Sequence, residues 1–300
     1  MSIKQKKTTI LTLRGQKRKK EKTVLVTAYD VWQATLADQA GVDIILVGDS
    51  LGMTTLGHET TIPVTMDDMI RHTEAVRRGT NKAFLVGDMP YLSYQVSDEE
   101  AIRNAGRFVQ AGVECVKVEG AMHNRIKVLC EAGFVVMSHL GLTPQTKAKL
   151  GGYRVQGKTA KDYEIIRDQA LRLQDAGCSF LLLEAMPRVP AKLIAEQLKI
   201  PVYGIGAGND VDGQLVILHD LIGLFFEFKS KFVKRYCDAG LIIQDALHSY
   251  ASDVREGNFP TPENFYEIKE EELEKMLEDV RWKYEKIDIS SRQHISAIDI

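Results

Sequence analysis

Cysteine, net charge and long apolar runs are all scarce in this sequence. The four cysteines include no CxxC pair, so neither a disulfide framework nor a zinc-knuckle site is expected. With 39 basic and 41 acidic residues, the net charge of -2 offers no overall attraction to nucleic acid or to an anionic membrane. No stretch approaches the roughly 18 apolar residues of a membrane-spanning helix, and the first residues lack the apolar core of a signal peptide. We therefore expect a cytoplasmic protein that acts on small molecules.

Several catalytic motifs are also missing. The sequence contains no HExxH, no GxSxG and no Walker loop, which are the usual signatures of zinc proteolysis, serine hydrolysis and nucleotide hydrolysis. The run from Gly204 to Gly208 reads GxGxG rather than GxGxxG, and it comes late in the chain instead of opening a first βαβ unit. A dinucleotide site is therefore only weakly indicated. Glycines that let the backbone approach a ligand closely are the favoured interpretation.

Short apolar runs alternate with longer amphipathic stretches after Thr23, which is typical of βα repeats around a parallel sheet. A length of 300 residues suits one barrel of eight such repeats, and 44% hydrophobic residues suffice for its core. The sequence thus predicts an α/β protein with a (β/α)8 TIM barrel. Its strands are expected near 23–28, 43–48, 83–88, 114–119, 134–138, 179–184, 201–205 and 220–225.

One pattern recurs four times: a helical stretch ends in Ala-Gly, an apolar run follows, and a polar residue closes it. The glycine stops the helix in the left-handed conformation, and the apolar run is a strand buried on both faces. The closing residues are Asp49, Glu119, His139 and Glu184, and Asp88 ends a fifth run in the same way. In a closed parallel barrel all strands point the same way, so these side chains are expected to meet at one mouth.

Three carboxylates at one mouth repel each other unless a cation lies among them. Asp49, Asp88 and Glu119 are therefore candidate ligands of a hard divalent metal such as Mg²⁺, with one or two bound directly and the rest through water. Each of them could instead cap a helix or pair with an arginine.

Two further side chains are candidates for chemistry. Glu184 follows three leucines, whose desolvation of the carboxylate favours a role as general base. Lys117 lies two residues before Glu119, so both face the barrel interior, where the ammonium could meet an anionic substrate. For His139, a satisfied core histidine and a substrate contact are both open.

The chain is expected to divide into a basic N-terminal segment (1–22), the barrel (23–257) and a charged C-terminal helical tail (258–300). The first segment contains many Lys and Arg residues but no interleaved aromatic residue for base stacking, so a solvated leader is favoured over a nucleic-acid-binding arm. The connection from Ser50 to Thr65 is longer than the usual βα loop and is a candidate lid.

Eight stretches, in order along the chain, carry a resemblance to a known family: Val26-Thr-Ala-Tyr-Asp30, Val47-Gly-Asp-Ser-Leu-Gly-Met53, Asp67-Asp-Met-Ile-Arg-His72, Asp88-Met-Pro-Tyr91, Val116-Lys-Val-Glu-Gly120, His139-Leu-Gly-Leu-Thr-Pro-Gln145, Gly151-Gly-Tyr-Arg-Val-Gln-Gly157 and Gly204-Ile-Gly-Ala-Gly208. With them, the sequence from about Thr23 to Gly257 resembles the family of 3-methyl-2-oxobutanoate hydroxymethyltransferases, the ketopantoate-forming enzymes of pantothenate biosynthesis. One departure is Ser230, which stands where many family members have Pro before Lys231-Phe-Val-Lys234.

The resemblance implies a barrel of the phosphoenolpyruvate/pyruvate type and an enzyme that uses 5,10-methylenetetrahydrofolate as one-carbon donor. It implies Mg²⁺ at Asp49, Asp88 and Glu119, and it makes Glu184 the catalytic proton acceptor. The 2-oxo acid would be bound by Asp49, Ser50, Asp88 and Lys117. Family members are homo-oligomers, commonly decamers, so the same is expected here.

A magnesium-dependent carbon-carbon lyase acting on a 2-oxo or hydroxy acid is the alternative function. Such lyases generally carry a cysteine in a Lys-Lys-Cys-Gly-His loop, and no such loop occurs in this sequence. A non-catalytic binding barrel is a further alternative, against which the full set of polar residues at the predicted mouth argues.

Overall fold

Eight parallel strands form a closed barrel in chain order, with β1 paired to both β2 and β8. The computed structural model describes residues 6–226 and 230–281. The strands are β1 (Thr23–Thr27), β2 (Ile44–Val47), β3 (Phe84–Asp88), β4 (Cys115–Glu119), β5 (Val136–Gly141), β6 (Phe180–Glu184), β7 (Val202–Ile205) and β8 (Gly213–Val216). The helices are α1 (Ile10–Lys19), α2 (Val31–Gln39), α3 (Leu51–Thr54), α4 (Met66–Gly79), α5 (Asp98–Gln110), α6 (His123–Glu131), α7 (Ala160–Asp175), α8 (Arg188–Gln197), α9 (Leu218–Leu221), α10 (Ala239–Glu256) and α11 (Glu270–Arg281). The predicted fold class is confirmed.

Seven of the eight predicted strands are confirmed to within two or three residues, and the eighth is wrong. The predicted run 220–225 begins inside α9 and continues as a turn and coil, whereas β8 is Gly213–Val216. An apolar run of this length is compatible with either a strand or a short helix, and periodicity does not separate them. The true strand contains a glycine and the exposed Gln214, which weakens its apolar signal. Residues 206–212, all described, join β7 to β8 without a helix.

Alternate strand residues point into the barrel or out towards the helices, as the period of two requires. On β2, Ile44 and Leu46 belong to the interior cluster, while Ile45 and Val47 pack in the layer beneath the helices. Phe180 and Tyr203 stack inside the barrel with ring centroids 5.8 Å apart. The interior is therefore a packed apolar core in its lower layers, and the polar strand-end residues lie above it.

Glycines that follow helix ends adopt the predicted left-handed conformation. Gly41, Gly112, Gly133 and Gly177 have φ of 81°, 99°, 94° and 102° respectively. Each preceding alanine closes its helix in right-handed geometry. The Ala-Gly pattern is thus a helix stop followed directly by a strand, and it sets where each strand begins.

Helix α1 lies across the end of the barrel opposite the predicted mouth. Leu13 is fully buried in the interior cluster. Lys17 forms an ion pair with Asp212 at 2.7 Å, and Gln16 Nε2 donates a hydrogen bond to Asp43 Oδ1 at 3.1 Å, just before β8 and β2 respectively. The expectation of a solvated leader is wrong for this part of the chain, because α1 supplies an apolar side chain to the barrel floor.

Contacts along the chain define two compact units, Met1–Gly240 and Leu241–Ile300. The second unit contains most of α10 together with α11, and many of its described apolar side chains are exposed. The division at 22/23 and 257/258 stays a prediction, and the part of the predicted tail after residue 281 lies outside the described residues. Among the helices that the structure describes, none combines the length and apolar character needed to cross a membrane.

We predict that Leu13→Ala lowers the free energy of unfolding by about 2–5 kcal/mol, because it removes a fully buried side chain from the floor of the barrel. Urea denaturation would measure the change. Leu11→Ala on the same helix is the matched control, since Leu11 is 72% exposed and its loss should have little effect. Equal effects of the two substitutions would contradict the assigned position of α1.

Candidate active site

A cavity of about 890 Å³ opens at the carboxyl ends of the strands. Asp88, Glu119 and Glu184 are the last residues of β3, β4 and β6, so their side chains enter it from the strand ends. All the site residues predicted from the sequence lie in its wall: Asp49, Ser50, Asp88, Lys117, Glu119, His139 and Glu184. The predicted convergence at one mouth is therefore confirmed, while the role of each residue stays a prediction.

Asp88 and Lys117 form a buried ion pair. The ammonium Nζ of Lys117 donates to both carboxylate oxygens of Asp88, at 2.7 and 2.8 Å, and the two side chains are 2% and 5% exposed. Burial alone would lower the pKa of Lys117, but the carboxylates of Asp88, Asp49 and Glu119 outweigh it and raise the pKa. Lys117 therefore stays charged inside the barrel, where its partner is a carboxylate of the same site.

Gln145 connects two of the candidate metal ligands. Its side-chain Nε2 donates to Asp49 Oδ2 at 3.0 Å, and its backbone N–H donates to Glu119 Oε1 at 2.8 Å. The hydroxyl of Tyr94 donates to Gln145 Oε1 at 2.6 Å and accepts from the backbone N–H of Glu119 at 3.2 Å. These contacts fix the orientation of both carboxylates. Sequence reasoning assigned no role to Gln145 or Tyr94, although Gln145 ends one of the family motifs.

His139 lies between two carboxylates. Its Nδ1 is 3.5 Å from Glu119 Oε2, and its Nε2 is 3.2 Å from Glu184 Oε2. Neither nitrogen has a well-directed hydrogen bond within the described part of the chain, so the contacts are ionic. Burial lowers the pKa of His139, but the two carboxylates outweigh it and raise the pKa to about 9. The imidazole is thus a charged link between the strand ends of β4 and β6.

Ser50 is positioned by an aromatic residue from the connection between β1 and α2. The hydroxyls of Tyr29 and Ser50 are 2.8 Å apart, and Tyr29 is fully buried. Burial raises the pKa of Tyr29 to about 12, so its phenol stays protonated. On the other side of Ser50, the backbone N–H of Asp49 donates to Asp88 Oδ2 at 3.2 Å. Ser50 therefore lies directly beside the charged cluster.

Backbone geometry around Glu184 is restrictive. A Cβ on Gly141 would lie 2.3 Å from the Glu184 carbonyl oxygen, so only glycine fits where β5 passes β6. The next residue, Ala185, has φ of 47° although it is not glycine. Such a conformation costs about 1 kcal/mol or more and is held by its surroundings. The backbone thus turns sharply at the point where Glu184 enters the cavity.

The donor set fits a hard divalent cation. Asp49, Asp88 and Glu119 supply only oxygen ligands, and Mg²⁺ is usually held by one or two protein carboxylates together with substrate and water. Within residues 6–226 and 230–281, no group of three or more acidic, histidine or cysteine side chains is arranged as a complete metal cage. A two-carboxylate site completed by substrate is compatible with both facts.

Comparison with known proteins identifies the family. A family model described as ketopantoate hydroxymethyltransferase matches residues 7–262. The chain belongs to this family. The 3-methyl-2-oxobutanoate hydroxymethyltransferase of Alkaliphilus metalliredigens is 47% identical over 281 residues, which cover 92% of this chain and 99% of that protein. The enzyme of the same name from Geobacillus kaustophilus is 51% identical over 84% of this chain and 91% of its own length.

Solved structures outside the ketopantoate hydroxymethyltransferase family share the fold of this chain. Phosphonopyruvate hydrolase in complex with oxalate and Mg²⁺ aligns with a TM-score of 0.56 at 14% identity, covering 92% of this chain and 99% of that chain. A 2,3-dimethylmalate lyase of the PEP mutase/isocitrate lyase superfamily also aligns with a TM-score of 0.56, at 15% identity and with 98% and 100% coverage. At these identities the likeness shows the fold alone.

We predict that Lys117→Met lowers the free energy of unfolding of this ketopantoate hydroxymethyltransferase family member by about 3–5 kcal/mol, because it leaves the Asp88 carboxylate buried without its cation. The measurement is chemical denaturation in the presence of a chelator, which prevents a metal from replacing the ammonium. Lys127→Met is the control, since Lys127 is exposed and 3.8 Å from its partner on α6. A stability loss no larger than that of the control would show that the buried pair is not needed.

Proposed function

We propose that the protein transfers a one-carbon unit from 5,10-methylenetetrahydrofolate to 3-methyl-2-oxobutanoate, as an enzyme of pantothenate and thereby coenzyme A biosynthesis. Two facts together support the proposal. The chain matches the family over most of its length, and all the predicted site residues line one cavity. The two relatives described above carry the name of this activity. The lyase alternative has no comparable sequence support.

In this proposal the keto acid is bound at the inner end of the cavity. Its carboxylate is held by Lys117 and Ser50, both of which lie in the wall beside Asp49 and Asp88. The buried ion pair keeps the ammonium fixed before the substrate arrives, so little side-chain freedom is lost on binding. Of Asp49, Asp88 and Glu119, one or two would hold Mg²⁺ directly and the rest through water, and the metal would supply a Lewis acid that polarises the keto oxygen.

Glu184 is proposed as the proton acceptor. It removes the proton from C3 of the keto acid, and the electron pair of that broken C–H bond becomes available to attack the methylene carbon of the folate. The methylene carbon exchanges its bonds to the two folate nitrogens for a new carbon-carbon bond to C3 and a bond to a hydroxyl oxygen. The proton accepted by Glu184 and one proton of water end on the two nitrogens. One water supplies the hydroxyl oxygen, so the balanced products are 2-dehydropantoate and tetrahydrofolate. His139, 3.2 Å from Glu184, orients the carboxylate.

The proposal includes the assembly and the compartment. We propose a homo-oligomer, with the decamer of the family as the expected form, located in the cytoplasm. Two side chains on the outer face of α2 support a buried interface, because Trp32 is 74% and Leu36 is 67% exposed. Contiguous exposed apolar surface of this kind is typical of protein-protein contacts.

We predict that the purified protein with Mg²⁺ converts 3-methyl-2-oxobutanoate and 5,10-methylenetetrahydrofolate to 2-dehydropantoate. A chelator should abolish turnover because it removes the Lewis acid, and added Mg²⁺ should restore it. Mass spectrometry of the acid products measures the conversion, with reactions lacking folate as the control. No product from folded protein supplied with Mg²⁺ would overturn the proposal.

We also predict that Glu184→Gln lowers kcat by roughly 10²–10⁴-fold, the usual contribution of a general base. The amide keeps the shape of the side chain but cannot accept the proton, so calorimetric binding of the keto acid and of Mg²⁺ should persist. Glu196→Gln is the matched control, since Glu196 is exposed on α8 and does not belong to the cavity wall. Undiminished turnover in the Glu184 variant would remove this residue from the mechanism.

A further inference from the structure

The cavity has two chemically different ends. At the inner end, the ionisable side chains of Asp88, Lys117 and Glu119 are buried. At the outer end, the wall contains Tyr153 and Phe232, which are 51% and 43% exposed, and a cation stands next to each of them in the sequence. A volume of about 890 Å³ is near the upper limit for pockets that bury a drug-sized ligand, and a five-carbon acid fills only a small part of it. The outer end is left for a second, larger molecule.

We propose that this outer chamber, formed by Tyr153–Val155 on one side and Lys231–Phe232 on the other, binds the folate co-substrate. The inference rests on the proposed function and goes beyond it by naming the residues that grip the one-carbon donor. A reduced folate has a flat bicyclic ring and an anionic glutamate tail. Aromatic side chains bind flat rings by stacking, and cationic side chains pair with carboxylates.

The first wall is anchored beside the proposed proton acceptor. The loop that carries Tyr153–Val155 follows β5, and the backbone N–H of Gln156 donates to the Ala185 carbonyl at 2.9 Å. Ala185 directly follows Glu184. Gly157 lies so close to Met186 that an added Cβ would be 2.9 Å from the methionine methyl, and its φ is 73°. The wall is therefore fixed to the backbone at the end of β6.

The second wall is anchored at the next strand. The ring of Phe232 covers Gly206, where an added Cβ would lie 2.6 Å from the ring. Gly206 has φ of 67° and follows Ile205, which is the register partner of Glu184 in the β6–β7 pair. Only glycine both adopts this positive φ readily and leaves room for the ring, so Phe232 packs directly on the backbone here. The first wall is therefore anchored at Ala185, directly after Glu184, and the second at Gly206, directly after the register partner of Glu184, so both anchor points adjoin the proposed proton acceptor.

This arrangement implies an order of the two ligands along the cavity. A flat ring held by Tyr153 and Phe232 would place its one-carbon group towards Glu184 and the keto acid beneath it. Arg154 and Lys231 would pair with the carboxylates of the tail where the chamber opens to solvent. Lys147 already stands over the ring of Tyr153, with Nζ 4.9 Å from the ring centroid, and helps to fix that side chain.

The test separates the two substrates. We predict that Phe232→Ala raises the KM for 5,10-methylenetetrahydrofolate about tenfold or more, as expected for loss of one stacking side chain. Arg154→Gln and Lys231→Gln should each raise it by about two- to fivefold, as expected for exposed ion pairs. The KM for the keto acid should stay within about twofold of the wild-type value. Lys234→Gln is the control, because Lys234 is on the same segment but outside the cavity wall.

Solvent exchange at C3 of the keto acid provides a readout that needs no folate. Wild type and all four variants should exchange this hydrogen for deuterium at the same rate, which shows that each is folded with an intact inner site. Unchanged folate KM in Phe232→Ala and in both cation variants would overturn the outer-chamber assignment while leaving the proposed function in place. If wild type shows neither exchange nor turnover, the proposed function fails and the inference falls with it.

A second donor distinguishes tail binding from ring binding. Wild type should have a several-fold lower KM for the natural donor than for 5,10-methylenetetrahydropteroate, which lacks the glutamate. The double variant Arg154→Gln/Lys231→Gln should lose this preference. Equal KM values for the two donors in wild type would show that the cations do not bind the tail and would overturn that part of the assignment.

Discussion

The buried contact between Lys117 and Asp88 is the constraint on which the rest of the site depends. Two charges this far from water are tolerated only when they are paired and their remaining hydrogen-bonding capacity is used. Both oxygens of Asp88 accept from the ammonium, and one of them also accepts from the backbone of Asp49. The pair therefore ties β3 and β4 to the turn after β2. It also defines a polar layer directly above the apolar filling of the barrel.

Much of the fold was accessible from the sequence because the helix stops and the strands repeat the same local chemistry. Glycine after alanine marks a helix end wherever the next strand must start at once, and the buried strands read as continuous apolar runs. The prediction of the eighth strand was wrong because Gly213 and Gln214 interrupt the apolar run of the true strand. The later stretch 220–225 is more apolar and therefore resembles a buried strand. The packing of α1 against the barrel could not be predicted, because it depends on one buried side chain, Leu13, in a segment with many basic residues.

The candidate site was predictable to the extent that its residues end strands. Asp88, Glu119 and Glu184 share that position, so topology alone brings them together. His139 was expected to close its strand as well, but β5 continues to Gly141, and His139 reaches the cavity from within the strand. Gln145 was missed because it belongs to a short 3-10 turn after β5, where no periodic pattern says which way a side chain points. The walls of the outer chamber were missed for the same reason, since loops that fold back on strand ends are fixed by long-range contacts such as Gly206 with Phe232.

The closed floor of the barrel has a kinetic consequence. Among the described residues, Leu13 and the apolar layers above it close the floor of the barrel, so a ligand at the inner end faces the mouth, whose wall includes Tyr153 and Phe232. If a folate occupies the mouth, the smaller ligand beneath it is trapped. Substrates would then follow a compulsory order, in which the keto acid enters first and its product departs last, behind the spent folate.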